Sequence, residues 1–234
     1  MSQLDRSLIA GLSLFRAAKP EDLDRVLSSA RSLRVAKDVT IFEEEAEGHS
    51  FFLLLDGHVR VVKTTPGGDQ VIVRYISAGE LIGIAHAMGR TTYPASAVAA
   101  VDCVVLAWPS AMWPEFMAQI PGFGETTYQT VGSRLQDVQA RLVEMSTEQV
   151  EQRVARAVLR LAEQNGRKTG EGIEIDFPIS RQDIAEMTGT TLHTVSRLLA
   201  AWEAKGLVKG GRQRVTVVEA VRLRSLAEGR AGST

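Results

Sequence analysis

Apolar positions change their period along the chain, and each change predicts an element. Near the N-terminus, PEDLDRVLSSA has helical spacing, with Pro20 suited to a first turn where a missing N–H costs nothing. From Leu33 to about Trp108 the period shortens. SFFLLLDGHVRVVKTT, DQVIVRYI and CVVLAW are rich in Val, Ile, Phe and Leu, and DG, PGGD and SAGE separate them with turn chemistry. Several short strands at this spacing predict a β-sandwich or roll.

Helical spacing returns after WPSAMWPEFMAQIPGF. Tyr128, Val131, Leu135, Val138, Leu142 and Met145 follow one another in alternating steps of three and four, an a/d seam. Polar Arg134, Gln136, Asp137, Gln139, Arg141 and Glu144 flank it, so only a narrow stripe needs covering. Such a stripe fits one partner helix in a parallel two-fold dimer; the other reading is a helix lying on its own β-domain. Beyond Ser146, Val150, Val154, Val158 and Leu161 share one face of a further helix, with Gly166 as its expected C-cap. GIEIDFPIS reads as a short strand and a stop, and Ser180 followed by Asp183 reads as a capping box.

The helix RQDIAEM, the turn TGT and the helix TLHTVSRLLAAWEAKG follow the plan of a helix-turn-helix. Ala185 is small where the second helix must cross, Gly189 suits the tight turn, and Val195, Leu198 and Leu199 with Ile184 form the seam. Leu192, His193, Ser196 and Arg197 are then left on the outward face, where such motifs meet base edges. A guanidinium at Arg197 matches O6 and N7 of guanine, Leu192 suits a thymine methyl, and Ser196 suits a base or a phosphate. Thr190, Thr191 and Thr194 can cap the helix or, with Arg181, bond phosphate oxygens that set register without reading sequence. AKGLVKGGRQRVTVVEA predicts two short strands around Gly210 and Gly211, a wing whose Lys205, Lys209, Arg212 and Arg214 suit phosphates. A plain amphipathic helix with a solvated face is the competing reading of the same stretch.

Composition narrows the choice. The 234 residues allow two modest domains, and 44% hydrophobic with 24% charged residues are ordinary for a globular chain. A net charge of -1 provides no overall field, so attraction to nucleic acid must come from a patch. Residues before Glu148 carry 13 Lys and Arg against 17 Asp and Glu, and those from Glu148 onward carry 14 against 11. The basic excess therefore lies at the C-terminal end. A single cysteine, Cys103, excludes an internal disulfide and a multi-cysteine cluster, and fits a reducing cytoplasm. The N-terminal stretch lacks a long apolar run and no eighteen apolar residues run together, so neither secretion nor membrane insertion is expected. No phosphate-cradling loop, metal-spaced cluster or nucleophile elbow points to an enzyme.

Taken in order, these parts are α+β: a β-roll with an N-terminal helix over 1–108, a dimerisation helix region over 109–147 and a winged helix-turn-helix over 148–234. Over nearly its whole length the chain resembles the CRP-FNR family of bacterial transcription regulators, and ISRQDIAEMTGTTLHTVSRLL is similar to that family's DNA-binding motif. The resemblance implies a homodimer on a near-palindromic operator in double-stranded DNA, with RNA polymerase as a further partner. FNR-like members carry Glu at the place of His193, followed by Ser and Arg at the places of Ser196 and Arg197. Glu accepts from cytosine N4 whereas neutral His offers one donor and one acceptor; the resemblance implies a TTG-type half-site, with His193 as the departure from the family's reading residues.

The stretch from Ile41 to Gly89 looks like a cyclic-nucleotide-binding roll with turn glycines Gly57, Gly79 and Gly83. Members that bind cyclic AMP follow IG with Glu for the ribose hydroxyl and later use Arg with Ser or Thr for the cyclic phosphate. Ile84 stands at the Glu place and Tyr93 with Pro94 at the Arg-Ser place, while Arg90 with Thr91 comes too soon after Gly83. Loss of nucleotide binding is the expectation. What remains are members that sense a gas through haem, members that sense another small molecule, and members with no effector. GIAHAMGRTTYPASAVAAVDCVVLAW and TGTTLHTVSRLLAAWEAKGLVKGGRQR look like the NnrR group, which responds to nitric oxide and controls denitrification genes. That likeness implies an effector pocket around Ile84, His86, Arg90 and Tyr93, with His86, chosen over His49 and His58, as the candidate haem ligand. A regulatory module acting on a protein partner is the alternative from another class.

Overall fold

The computed structural model describes residues 4–230, so the outermost residues of both termini, including the start of the stretch examined for a targeting signal, lie outside it. The chain divides into two compact units, one running up to Lys63 and over Val73–Asp137, the other made of Thr64–Ile72 and Val138 onward. The first helix is α1 (Pro20–Ser28), with Pro20 in its first turn as expected. Eight strands follow: β1 (Arg31–Val35), β2 (Thr40–Phe42), β3 (Ser50–Asp56), β4 (His58–Thr64), β5 (Gln70–Ser77), β6 (Leu81–Ile82), β7 (Ser96–Ala99) and β8 (Cys103–Pro109). They form two four-stranded sheets, ordered β1-β8-β3-β6 and β2-β7-β4-β5. Helices α2 (Trp113–Gln119) and α3 (Phe123–Thr147) complete the run.

The unbroken apolar runs FFLLL and CVVLAW have a physical cause. The first sheet is buried on both faces. Phe51 and Leu53 of β3, with Leu106 and Trp108 of β8, face a cluster built from Ile9, Phe15 and the helices, whereas Phe52, Leu54, Cys103 and Val105 face the second sheet. Alternate residues must then be apolar in both directions, which abolishes the usual polar alternation. The Phe51 ring stacks on Trp108 and meets Trp113 and Phe116 edge-on, and the Trp108 indole N–H donates to the Val26 carbonyl at 2.8 Å.

Only part of the predicted seam on α3 is open. Tyr128, Leu135 and Leu142 are 66%, 59% and 68% exposed, Val138 is exposed as well, and Val143 joins them unanticipated. Val131 instead packs against the aromatic cluster of the roll, next to buried Thr127 and Phe123. Arg134, expected among solvated flanking residues, is largely buried and donates to the Leu81 carbonyl at 2.9 Å. It shares the Glu80 carboxylate with Arg74, and burial together with the Arg74 charge pushes its pKa down to about 10. The first half of α3 thus lies on its own β-domain, while the stripe beside it stays uncovered.

The second unit continues with α4 (Val150–Asn165), β9 (Gly166–Thr169), β10 (Gly172–Ile175), α5 (Arg181–Thr188), α6 (Leu192–Ala204), β11 (Val208–Gly211), β12 (Arg214–Val217) and α7 (Ala220–Ala227). Strands β11-β12-β10-β9 make one antiparallel sheet. Gly166 ends α4 as expected but not as a left-handed cap. Its backbone is extended, and a Cβ there would fall 2.0 Å from the Ala162 carbonyl oxygen, so close approach is what demands glycine. Met145, the last predicted seam residue, lies against the turn glycine Gly189, where an added Cβ would sit 3.2 Å from its methyl carbon. Its apolar surface is thus partly spent inside this unit.

Candidate nucleic-acid interface

Helices α5 and α6 cross over the buried side chains of Ile184, Ala185, Val195 and Leu199, with Leu198 half-buried beside them. The sequence pattern left out Trp202, which is fully buried and donates its indole N–H to Glu151 at 3.0 Å. A tryptophan one turn beyond a Leu pair reads equally well as seam or surface. The capping box forms as predicted: Asp183 N–H donates to Ser180 Oγ at 3.0 Å and Ser180 N–H to the Asp183 carboxylate at 2.7 Å. Gly189 ends α5 at φ 59°, in the left-handed region.

The three threonines divide their work. Thr191 is the N-cap of α6, its hydroxyl accepting from Thr194 N–H at 3.2 Å and lying 3.0 Å from the Thr194 hydroxyl. Thr190 is half-buried in the turn, and its N–H donates to the Ala185 carbonyl. Past the cap, His193 and Arg197 are exposed on the side of α6 away from the seam, Ser196 is half-buried, and Leu192, 42% exposed, lies nearer the seam and lines one cavity with Leu199.

The wing is β11 and β12, but its turn is Arg212-Gln213 rather than Gly210-Gly211; Gln213 takes a left-handed φ of 57° while the glycines sit in β11. Gly210 N–H donates to the Glu203 carboxylate of α6, which leaves no room for a side chain at that position. Lys209, expected on phosphate, instead places its ammonium 2.6 Å from Glu171.

Pairing separates the cations of this unit into two groups. Arg156 and Arg160 pair with Glu148 and Glu144, Arg167 with Glu174 and Asp176, Arg224 with Glu163, and Arg153 donates to the Thr188 and Glu148 carbonyls. Among the described residues, Arg181, Arg197, Lys205, Arg212 and Arg214 have no carboxylate partner, as is also true of Lys168 and Arg222. Arg181, Arg212 and Arg214 line one open cavity of about 360 Å³ that Leu192 of α6 also lines. Unpaired guanidiniums around the start of a reading helix suit a polyanion.

None of the three described cavities is lined by the residues expected around an effector, Ile84, His86, Arg90 and Tyr93. Ile84 is 5% exposed and belongs to the cluster under the N-terminal helices; Tyr93 is 4% exposed and belongs to the cluster between the sheets. The Tyr93 ring stacks on Phe42 at 3.9 Å, its hydroxyl donates to the Ser50 carbonyl at 2.7 Å, and burial pushes its pKa up. Gly83, at φ 70°, is enclosed by the Phe42, Phe52 and Tyr93 rings, all 3.1 to 3.2 Å from where a Cβ would stand. Arg90 is exposed and faces Glu45 at 3.6 Å. His86 is exposed on a 3₁₀ turn, His86–Met88, and none of the three described cavities touches it. An outward imidazole with no enclosing apolar walls does not fit an axial haem ligand, and the residues around it do not fit haem. Among the described residues no three His, Cys, Asp or Glu side chains cluster as a metal site, and no helix is long and apolar enough to cross a membrane.

Comparison with known proteins agrees with this layout. Residues 32–120 match the cyclic nucleotide-binding domain and residues 152–226 the Crp-like helix-turn-helix domain. The cyclic AMP receptor protein of Thermus thermophilus is 30% identical over 219 residues, covering 94% of this chain and 98% of the relative. The nitrogen fixation regulation protein FixK of Bradyrhizobium diazoefficiens is 26% identical, with 84% of this chain and 82% of the relative covered. Among solved structures, FixK2 of Bradyrhizobium japonicum shares the fold at TM-score 0.74 and 20% identity, over 88% of this chain and 99% of that one.

Proposed function

The chain belongs to the CRP-FNR family of transcription regulators, with a DNA-binding helix-turn-helix, and from that premise we propose a homodimeric, sequence-specific regulator that does not bind cyclic AMP. One observation carries the DNA half of this reading: Arg197 is exposed and without a carboxylate partner on α6, whereas Arg156, Arg160, Arg167 and Arg224 of the same unit are each held by Glu or Asp. An open guanidinium there is free to grip guanine O6 and N7. Tyr128, Leu135 and Leu142 supply the apolar stripe for the second copy. Two reading helices then enter successive major grooves ~34 Å apart on a near-palindromic site. RNA polymerase is the further partner that the family implies.

The relative from Thermus is named for cyclic AMP, but the chemistry for that ligand is missing here. A ribose hydroxyl and a cyclic phosphate need a carboxylate and a cation, and this chain offers the buried side chains of Ile84 and Tyr93. The nitric oxide and denitrification reading rests on the resemblance to the NnrR group alone. A second reading, a regulator with no small effector, is favoured by the ring stack that closes around Gly83. The deciding experiment selects binding sites from random-sequence duplexes with the purified protein alone, with cyclic AMP, and with haem and a nitric oxide donor. A palindromic consensus obtained without additions supports the effector-independent regulator, and one obtained only with the donor supports nitric oxide sensing. Selection of no consensus under any condition sinks the DNA-reading assignment in favour of a module that docks on a protein.

A further inference from the structure

Of the three cavities described, one is large enough for an organic ligand: the trough between α6 and the wing holds about 360 Å³, against about 20 and 10 Å³ for the other two. Ile179, Leu192, Leu199, Val208 and Val215 give it apolar walls. Its rim is cationic, because Arg181, Arg212 and Arg214 stand exposed there with no carboxylate partner among the described residues. The walls are tied in place by backbone bonds. Ile179 N–H donates to the Gln213 carbonyl at 3.0 Å, and Gly210 N–H donates to the Glu203 carboxylate of α6. A trough fixed in this way exists before a ligand arrives, so binding has little left to order. The phosphates of a duplex answer the rim and leave the apolar walls without a partner. A single small molecule with an anionic head and an apolar tail answers both.

Resting on the DNA-binding reading above, we propose that this trough binds a medium-chain acyl carboxylate, which competes with DNA. The rim guanidiniums take the carboxylate in charge-assisted, bidentate bonds, and the chain lies along the apolar walls. About twelve non-hydrogen groups at ~30 Å³ each fill the volume, which is the size of decanoate. Each methylene buried raises affinity by up to about fourfold. The ligand occupies the same cations that suit DNA phosphates and covers Leu192 on α6, so an occupied subunit cannot seat on its half-site.

The test titrates the full-length protein by calorimetry with sodium decanoate below its micelle concentration, then with octanoate, hexanoate, acetate and decyltrimethylammonium. One saturable site per subunit is expected, with affinity rising about two- to fourfold per methylene from hexanoate to decanoate. Acetate should bind at least about a hundredfold more weakly, since it lacks the tail. Arg181→Ala with Arg212→Ala, both at exposed positions, should weaken decanoate about tenfold or more. Decanoate at ten times its Kd should weaken binding of the selected duplex about tenfold. The proposal is overturned if wild-type protein shows no saturable site, if the arginine variant binds decanoate as well as wild type, or if decyltrimethylammonium binds equally well. Simultaneous binding of decanoate and duplex overturns the competition. A protein that takes decanoate through these arginines but binds no duplex keeps the ligand site and overturns the DNA-binding reading beneath it.

Discussion

On α6, Arg197 is exposed and without a carboxylate partner, and Arg181, Arg212 and Arg214 stand open beside one cavity; in the roll, Ile84 and Tyr93 are buried and three rings crowd the place where a Cβ on Gly83 would stand. The two regions differ at these positions in whether polar groups stand open or are packed away. An unpaired exposed guanidinium costs little in water and is available to a polyanion, whereas a tyrosine whose hydroxyl and ring are both satisfied has nothing left to offer. Free bonding capacity is what separates the two regions.

The largest effect tests the open side of that contrast. Arg197→Ala should cost about 1 to 3 kcal/mol in each half-site, so a symmetric operator should be bound on the order of a hundredfold more weakly. Fluorescence anisotropy reads the loss, and an unchanged circular dichroism spectrum shows the fold intact. Retained discrimination at the guanine position would move the reading role to another side chain.

Next comes the apolar stripe. Leu135→Asp with Leu142→Asp places charges on exposed positions of α3, so each subunit still folds while a helix pair becomes unfavourable. Sedimentation equilibrium should report a monomer, and operator affinity should fall at least about tenfold as the second half-site is lost. A double variant that sediments as a dimer would show that this stripe is not the interface.

The closed side is tested by adding one methyl group. Gly83→Ala sets a Cβ against three rings at a left-handed φ, and should cost about 1 to 3 kcal/mol by overpacking and backbone strain. Thermal denaturation measures it, and an unchanged Tm would mean that the roll holds space after all. The smallest effect expected is none: cyclic AMP should leave Tm where it is. A ligand at a hundredfold its Kd stabilises by about 2.7 kcal/mol, which no scan would miss.

Local signals were the legible ones. The Ser180-Asp183 box, Gly189 and the face carrying His193 and Arg197 were readable because capping and helical period act within a few residues. The share of α3 taken by the roll was not readable, because Val131 and Leu135 occupy equivalent places in the seam and only the position of the roll buries one of them. The ion pair of Lys209 was not readable for the same reason. Glu171 lies far from it in sequence, and strand pairing alone brings the two together.

By itself, the sequence determined the order of elements, the caps and the exposure of His193 and Arg197 on α6, since each depends on residue type and short spacing. Only the tertiary structure decided which cations are spent in ion pairs, which part of the seam stays open and which rings enclose Gly83. Those outcomes depend on which distant side chains meet, and long-range packing sets that where no local pattern records it.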